Sequence, residues 1–172
     1  MTTETKRKSD LLGESLKQEI DDWLARYPED KRQSAVLAAL RAVQHHDPQH
    51  HLSVEMMDAV ADYIGMPEIA VYEVASFYSM YNLEPVGKHE ISVCNNISCM
   101  LRGADEIVAH LENRLGIKLG ESTPDGKFFL KKEEECLAGC CGAPMMQVDH
   151  VYHENLTIEK VDEILDQLDQ AK

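Results

Sequence analysis

The sequence predicts an α+β protein, with a helical first half and a small α/β layer in the second half. Apolar residues recur three and four positions apart through residues 12–81, which is the spacing of amphipathic helices. After Pro85-Val86-Gly87 short apolar runs alternate with helical stripes, a pattern typical of strands packed against helices. We therefore predict an N-terminal helical region, residues 1–84, and a second domain, residues 85–172.

Four helices are predicted in the first domain from their apolar stripes and their end signals. Pro28 ends the first helix, and His45-His46-Asp47-Pro48 ends the second. Ser53 caps the third helix, Gly65 ends it, and Pro67 begins the fourth. Because the breaks are short, a compact helical bundle is expected. The stripes are Leu12, Leu16, Ile20, Trp23, Leu24 and Tyr27; Val36, Ala39, Leu40 and Val43; Val54, Met57, Ala61 and Ile64; and Ile69, Tyr72, Glu73, Ser76 and Phe77, running to about Tyr81.

The second domain is predicted to contain a few short strands and two helices. Thr157 is the expected N-cap of the last helix. Predicted strands are Glu90–Cys94, Phe128–Lys131 and Met145–Val148, with Val151-Tyr152 as a partner of the last. The inward faces of the helices are Ile107, Val108, Leu111 and Leu115, and then Ile158, Val161, Leu165 and Leu168.

Composition and charge reduce the number of function classes to which this chain could belong. The chain is 44% hydrophobic and 28% charged, which is typical of a globular protein, and its net charge is −14. An acidic surface repels phosphates, so neither nucleic acid nor anionic lipid is expected as a partner.

No apolar run approaches the roughly 20 residues needed to span a bilayer, and residues 1–10 lack an apolar signal core. A cytoplasmic location is therefore expected, where five cysteines do not form structural disulfides.

Four of the cysteines form two closely spaced pairs, Cys94-x4-Cys99 and Cys136-x3-Cys140. Two short loops of this kind can turn four sulfurs toward one centre. Four thiolates suit Zn²⁺ or a [2Fe-2S] cluster, and thiolates also select copper(I). Ordinary buried cysteines are the alternative, although two such pairs at predicted strand ends and glycine-containing turns make that less favoured. Spacing alone leaves zinc and iron open.

The segments around these cysteines resemble a known family, the thioredoxin-like [2Fe-2S] E subunit of bacterial respiratory complex I. The resemblance extends from about Tyr27 to the C-terminus. Its motifs are Gly65-Met66-Pro67, Val71 to Tyr78, Leu83-Glu84-Pro85-Val86-Gly87, Val93-Cys94, Cys99-Met100-Leu101-Arg102-Gly103-Ala104, Glu135-Cys136-Leu137, Cys140, Ala143-Pro144-Met145-Met146-Gln147-Val148 and Glu154-Asn155-Leu156-Thr157.

The resemblance implies a helical bundle followed by a thioredoxin-like α/β ferredoxin domain, with one [2Fe-2S] cluster held by Cys94, Cys99, Cys136 and Cys140. It implies electron transfer within NADH:quinone oxidoreductase, with FMN and NADH on a partner subunit and no catalytic substrate site on this chain. Other peripheral-arm subunits are expected partners. They would hold the chain at the cytoplasmic face of the inner membrane without direct insertion. In such folds a cis proline is expected at Ala143-Pro144.

Two features depart from the family pattern. Cys141 follows Cys140 directly, so it is a possible substitute ligand, although the spacing selects Cys140. The insert Asn95-Asn96-Ile97-Ser98 differs from the Thr/Pro-rich version common in the family, which can change the hydrogen bonds to sulfur.

Two alternative functions stay open at this point. The first is the equivalent subunit of an NAD-linked hydrogenase or formate dehydrogenase. The second is a zinc-stabilised interaction module without a redox role. The chain contains neither G-x-G-x-x-G nor a P-loop, so nucleotide chemistry is expected on a partner.

Other polar clusters receive simpler interpretations. His45, His46, His50 and His51 are interpreted as solvated surface histidines in a turn. A Rieske-type role for His150 and His153 is unnecessary when four cysteines are present. Glu133-Glu134-Glu135 is interpreted as a solvated run whose charge would also make reduction of a neighbouring cluster harder.

Overall fold

The computed structural model describes residues 7–132 and 136–170. The chain forms two compact units that meet in sequence between Pro85 and Val86. The first unit is helical and the second is a mixed sheet with helices, so the predicted α+β class is confirmed. None of the helices within the described ranges combines the length and the apolar character needed to traverse a bilayer.

From residue 7 onward, the first unit contains four α-helices preceded or joined by 3-10 turns. They are α1 (Glu14–Leu24), α2 (Val36–His46), α3 (Val54–Ile64) and α4 (Glu68–Phe77), with 3-10 segments at Lys8–Leu11 and Glu29–Ala35. The Ser53 hydroxyl accepts the Met56 N–H at 3.3 Å, and Gly65 ends α3 with a φ of 76°. The predicted cap and stop are therefore confirmed. Helix α4 ends at Phe77 rather than near Tyr81, since Tyr78 is already extended.

The core of the first unit confirms most members of the stripes predicted for α1, α2 and α3. Its fully buried members include Leu12, Ile20, Leu40, Leu52, Val43, Val60 and Val71. Val54 and Tyr27 are exposed instead. Val54 opens α3 at the edge of the buried stripe, and Tyr27 lies beyond the last residue of α1.

The predicted stripe of α4 is wrong, since α4 buries Val71 and Ala75. All of its predicted members are exposed, namely Ile69, Tyr72, Glu73, Ser76 and Phe77. Helical spacing predicts which residues share one face of a helix. It does not predict which of those residues a neighbouring element covers.

The N-terminal 3-10 segment is attached to α3 and α4 by polar contacts. Lys8 Nζ contacts Asp58 at 2.9 Å and also contacts Glu68. The Ser9 backbone N–H donates to Asp62 Oδ2 at 3.0 Å. Bonds from the Ser9 hydroxyl and from its N–H lower the pKa of the Asp62 carboxyl below its ordinary value.

We expect Asp62→Asn to lower the urea midpoint of unfolding slightly at neutral pH. Because the folded pKa of Asp62 lies below its unfolded value, the stabilisation is present above roughly pH 4 and disappears as pH falls through the folded pKa. Urea unfolding at about pH 7 and about pH 2 measures this effect. The two proteins should differ at neutral pH and converge in acid. Asp22→Asn, on the exposed face of α1, serves as the control. A difference that persists unchanged in acid would contradict the prediction.

The second unit is a five-stranded mixed sheet in the order β2-β3-β1-β4-β5. The strands are β1 (His89–Val93), β2 (Glu121–Ser122), β3 (Phe128–Leu130), β4 (Met146–Val148) and β5 (Val151–His153). Strand β1 is parallel to β3 and antiparallel to β4. Parallel pairing needs a crossover, which residues 94–127 provide through α5 (Ile97–Met100) and α6 (Ala104–Leu115). The final helix is α7 (Ile158–Gln170).

A separate apolar core fills the second unit. Ile91, Leu111 and Leu130 are fully buried, and β1 is the central strand. Polar pairs join the exposed edges of α6 and α7, with His110 Nε2 2.8 Å from Asp162 Oδ1 and Arg114 Nη2 2.8 Å from Asp166 Oδ1. The predicted faces of both helices are confirmed as buried or partly buried. These residues are Ile107, Val108, Leu111 and Leu115 on α6, and Ile158, Val161, Leu165 and Leu168 on α7.

Gly87 lies where the chain enters the sheet beside β3. A Cβ at this position would lie 2.5 Å from the Phe128 carbonyl carbon and 2.6 Å from its oxygen. Backbone atoms cannot move aside as a flexible side chain can. We expect Gly87→Ala to destabilise the protein by about 1–3 kcal/mol, the usual cost of overpacking. Urea unfolding followed by circular dichroism measures it. The neighbouring exposed change Lys88→Ala should stay within about 0.5 kcal/mol of the parent, and equal effects of the two changes would contradict the prediction.

Candidate metal centre

The first cysteine pair is buried at the end of the central strand. Cys94 directly follows β1 and is 2% exposed, and Cys99, in α5, is 1% exposed. The Asn96 side chain caps α5 by accepting the Ile97 N–H at 2.7 Å. This short helix brings the two thiols within hydrogen-bonding reach of each other. Helix α5 was not predicted from the sequence, although Asn96 is a favoured N-cap residue and was the available signal.

The pKa of the Cys99 thiol depends strongly on the groups around it. Burial raises the pKa of the Cys99 thiol to about 11, and the hydrogen bond with Cys94 contributes to the same rise. A backbone hydrogen bond from Met145 acts in the opposite direction, and the charge of Cys140 again raises this pKa. Because burial disfavours the anion, the protein alone keeps this thiol protonated. A bound metal reverses that preference, since a coordinating thiol is deprotonated.

The second pair lies on a loop at the surface. Cys136 and Cys140 are exposed, and Cys141 beside them is also exposed. Leu137 is buried and anchors the loop between the two cysteines. The Ala138 N–H donates to Cys136 Sγ at 3.3 Å, so one backbone donor is already directed at sulfur. Donors of this kind stabilise the added negative charge of a reduced iron–sulfur centre.

Strand pairing brings the two ligand segments toward the same end of the sheet. Val93 of β1 faces Met146 of β4 in the antiparallel ladder, so Cys94 and Met145 are neighbours at the ends of these strands. The Cys94 N–H donates to the Met145 carbonyl at 3.1 Å. Arg102, which follows α5, donates from Nη1 to the Ala143 carbonyl at 3.2 Å. The Ala143–Pro144 peptide bond is cis, as predicted.

The structure brings the four predicted ligands together to different extents. Cys94 and Cys99 are in contact, Cys140 is close enough for its charge to act on Cys99, and Cys136 is exposed on the loop. In the part of the chain that the structure describes, no group of three or more His, Cys, Asp or Glu side chains has a metal-holding arrangement. The donor set still fits an iron–sulfur cluster chemically, since it offers four thiols and backbone N–H donors directed at sulfur.

Two of the histidines noted in the sequence lie beside carboxyl groups, and a third lies in a strand. His51 Nδ1 lies 2.6 Å from Asp47 Oδ2, and His46 Nε2 lies 3.1 Å from Glu19 Oε2. His153 lies in β5, where burial and the nearby Lys160 lower its pKa. The run Glu133-Glu134-Glu135 lies outside the described residues.

Comparison with known proteins identifies the family. The thioredoxin-like [2Fe-2S] ferredoxin domain matches residues 20–169, which is most of the chain. The chain belongs to this family. One relative of this chain, the E 2 subunit of NADH-quinone oxidoreductase in Rhizobium meliloti (strain 1021), is 40% identical over 92% of this chain and 91% of its own length. The E subunit of the same enzyme in Rickettsia conorii is 42% identical over 86% of this chain and 87% of its own length.

A eukaryotic relative and a solved structure extend the comparison. The mitochondrial NADH dehydrogenase [ubiquinone] flavoprotein 2 of Dictyostelium discoideum is 40% identical over 89% of this chain and 61% of its own length. An air-oxidized NAD⁺-reducing [NiFe]-hydrogenase has a similar fold, with a TM-score of 0.67 and 20% identity over 80% of this chain and 24% of that chain. At that identity the hydrogenase supports the fold of this chain and nothing more.

Proposed function

We propose that this [2Fe-2S] ferredoxin is the electron-transfer subunit of an NADH:quinone oxidoreductase, with Cys94, Cys99, Cys136 and Cys140 as the cluster ligands. The observation that carries the proposal is 40–42% identity to the E subunits of that enzyme over nearly the whole of both chains. The cysteine placement supports it, because a buried thiol pair and a surface loop pair lie toward one end of the sheet.

The chain's own residues would hold and tune the bound group. A bound [2Fe-2S] cluster would supply a one-electron redox centre. Cys94 and Cys99 would hold it from the buried side, where the protein excludes water. Cys136 and Cys140 would hold it from the loop. The N–H groups of Ala138 and Met145 would donate hydrogen bonds to ligand sulfurs, which favours the more negative reduced state.

The remaining parts of the reaction are assigned to partner subunits. We propose that FMN and NADH lie on a partner, because this chain has neither a G-x-G-x-x-G motif nor a P-loop. Contact with that partner and with other peripheral-arm subunits would place this chain at the cytoplasmic face of the inner membrane. On this view the chain is part of an oxidoreductase and has no substrate site of its own.

Low-temperature EPR with spin quantitation tests the cluster. The chain is purified anaerobically and reduced with dithionite. An S = 1/2 signal near one spin per chain, with acid-labile sulfide, is the expected result. A folded, colourless, zinc-containing protein without that signal would overturn the proposal in favour of a zinc module.

Affinity purification from the native membrane tests the complex. A tagged chain should co-purify with NADH-dehydrogenase activity that reduces quinone. Co-purification with hydrogenase or formate dehydrogenase activity instead would replace the complex I assignment and leave the cluster assignment intact.

A further inference from the structure

The connection between β5 and α7 packs directly on the second ligand loop. The Asn155 N–H donates to the Gly142 carbonyl at 2.6 Å, and the Leu156 N–H donates to the Pro144 carbonyl at 2.9 Å. Leu156 is itself buried in the core of the second unit. Two backbone hydrogen bonds and one buried side chain therefore fix this connection against the loop that carries Cys140.

The side chain of Glu154, in this connection, lies against the loop. A Cβ added to Gly142 would lie 2.5 Å from each of the Cβ, Cδ and Oε2 atoms of Glu154. A Cβ added to Gly139 would lie 3.5 Å from Oε1 of the same carboxyl group. The Glu154 side chain therefore occupies the space next to both glycines. Its carboxyl group lies against the loop on both sides of Cys140 and Cys141.

We propose that the negative charge of Glu154 disfavours reduction of a cluster bound at Cys140. The proposal rests on the proposed function, since it concerns a cluster on Cys140. Reduction adds a negative charge, and a carboxylate held beside the ligand loop makes that addition harder. Net charge and solvent exposure are among the factors that set iron–sulfur potentials.

The charge of Glu154 can be removed without breaking the hydrogen bond that Lys160 makes to the same residue. Lys160, on the first turn of α7, donates from Nζ to the backbone carbonyl of Glu154, not to its carboxyl group. Changing the Glu154 side chain therefore leaves that bond in place. Glu154 is exposed, so its charge is partly screened by salt.

The experiment is an EPR-monitored redox titration of the full chain carrying its cluster. Glu154→Gln keeps the shape and removes the charge, so its midpoint potential should be more positive than that of the parent. Glu154→Asp keeps the charge and should stay closer to the parent. Glu163→Gln, an exposed charge removal on α7, is the matched control and should leave the potential unmoved. The difference between parent and Glu154→Gln should shrink as salt is added.

The outcomes separate this proposal from the function on which it rests. Equal midpoints for Glu154→Gln and Glu163→Gln, with full S = 1/2 signals in both, would overturn the role of Glu154 alone. A salt-independent shift would also overturn it, because a packing change is not screened. A parent protein without any S = 1/2 signal would overturn the proposed function as well.

Discussion

Cys99→Ser is expected to abolish the S = 1/2 EPR signal and to reduce iron and acid-labile sulfide by about tenfold or more. Loss of a residue that supports the metal ligands commonly costs about 10–100-fold in metal affinity, and loss of a ligand itself should cost at least as much. Cys99 is buried beside Cys94, so no exposed thiol can easily replace it. Iron and sulfide analysis on the purified, folded protein measures the change. Cys136→Ser should have the same effect.

Cys141→Ser is the matched control on the same loop. It removes an exposed thiol next to a ligand and should leave iron, sulfide and the EPR signal at parental levels. Two further variants test whether Cys141 can replace Cys140 as a ligand. They are the single change Cys140→Ser and the double change Cys140→Ser with Cys141→Ser. A cluster retained in the single variant and lost in the double variant would show that Cys141 replaces Cys140. A cluster lost in Cys141→Ser would contradict the proposed ligand set.

Ile91→Ala is expected to destabilise the protein by about 2–5 kcal/mol, the usual range when a large buried aliphatic side chain is truncated to alanine. Ile91 lies on the central strand and is 0% exposed. Its neighbours, held by strand pairing on both sides, can collapse only partly into the space left behind. Urea unfolding of the full chain, followed by circular dichroism, measures the effect.

Ile97→Ala is the matched control for this truncation. Ile97 is 66% exposed on α5, so the same chemical change should alter stability by less than about 0.5 kcal/mol. Similar destabilisation by both changes would contradict the burial difference on which the prediction depends. Ile97→Ala should also retain the cluster, because the Asn96 side chain caps α5 by accepting the Ile97 backbone N–H and does not involve the Ile97 side chain.

Much of the fold was predictable because its signals are local. The cap at Ser53 and the stop at Gly65 act within one helical turn, so neighbouring residues were enough to predict them. The apolar stripes of α6 and α7 also needed only helical periodicity. Helix α4 was predicted too long because the extended backbone at Tyr78 ends it without a glycine or proline signal. The two-residue strand β2 was not predicted, since it carries no apolar alternation.

Residue types and spacing were sufficient to predict four cysteines as candidate ligands, because thiol chemistry is a property of the residue and two short-spaced pairs are visible along the chain. Only the tertiary structure decided what surrounds them. Pairing of β1 with β4 places Met145 against Cys94 and Cys99, and the connection after β5 places Glu154 against the loop of Cys140. These contacts join residues that are distant in sequence or separated by a hairpin. Strand pairing creates them, so no local pattern in the chain encodes them.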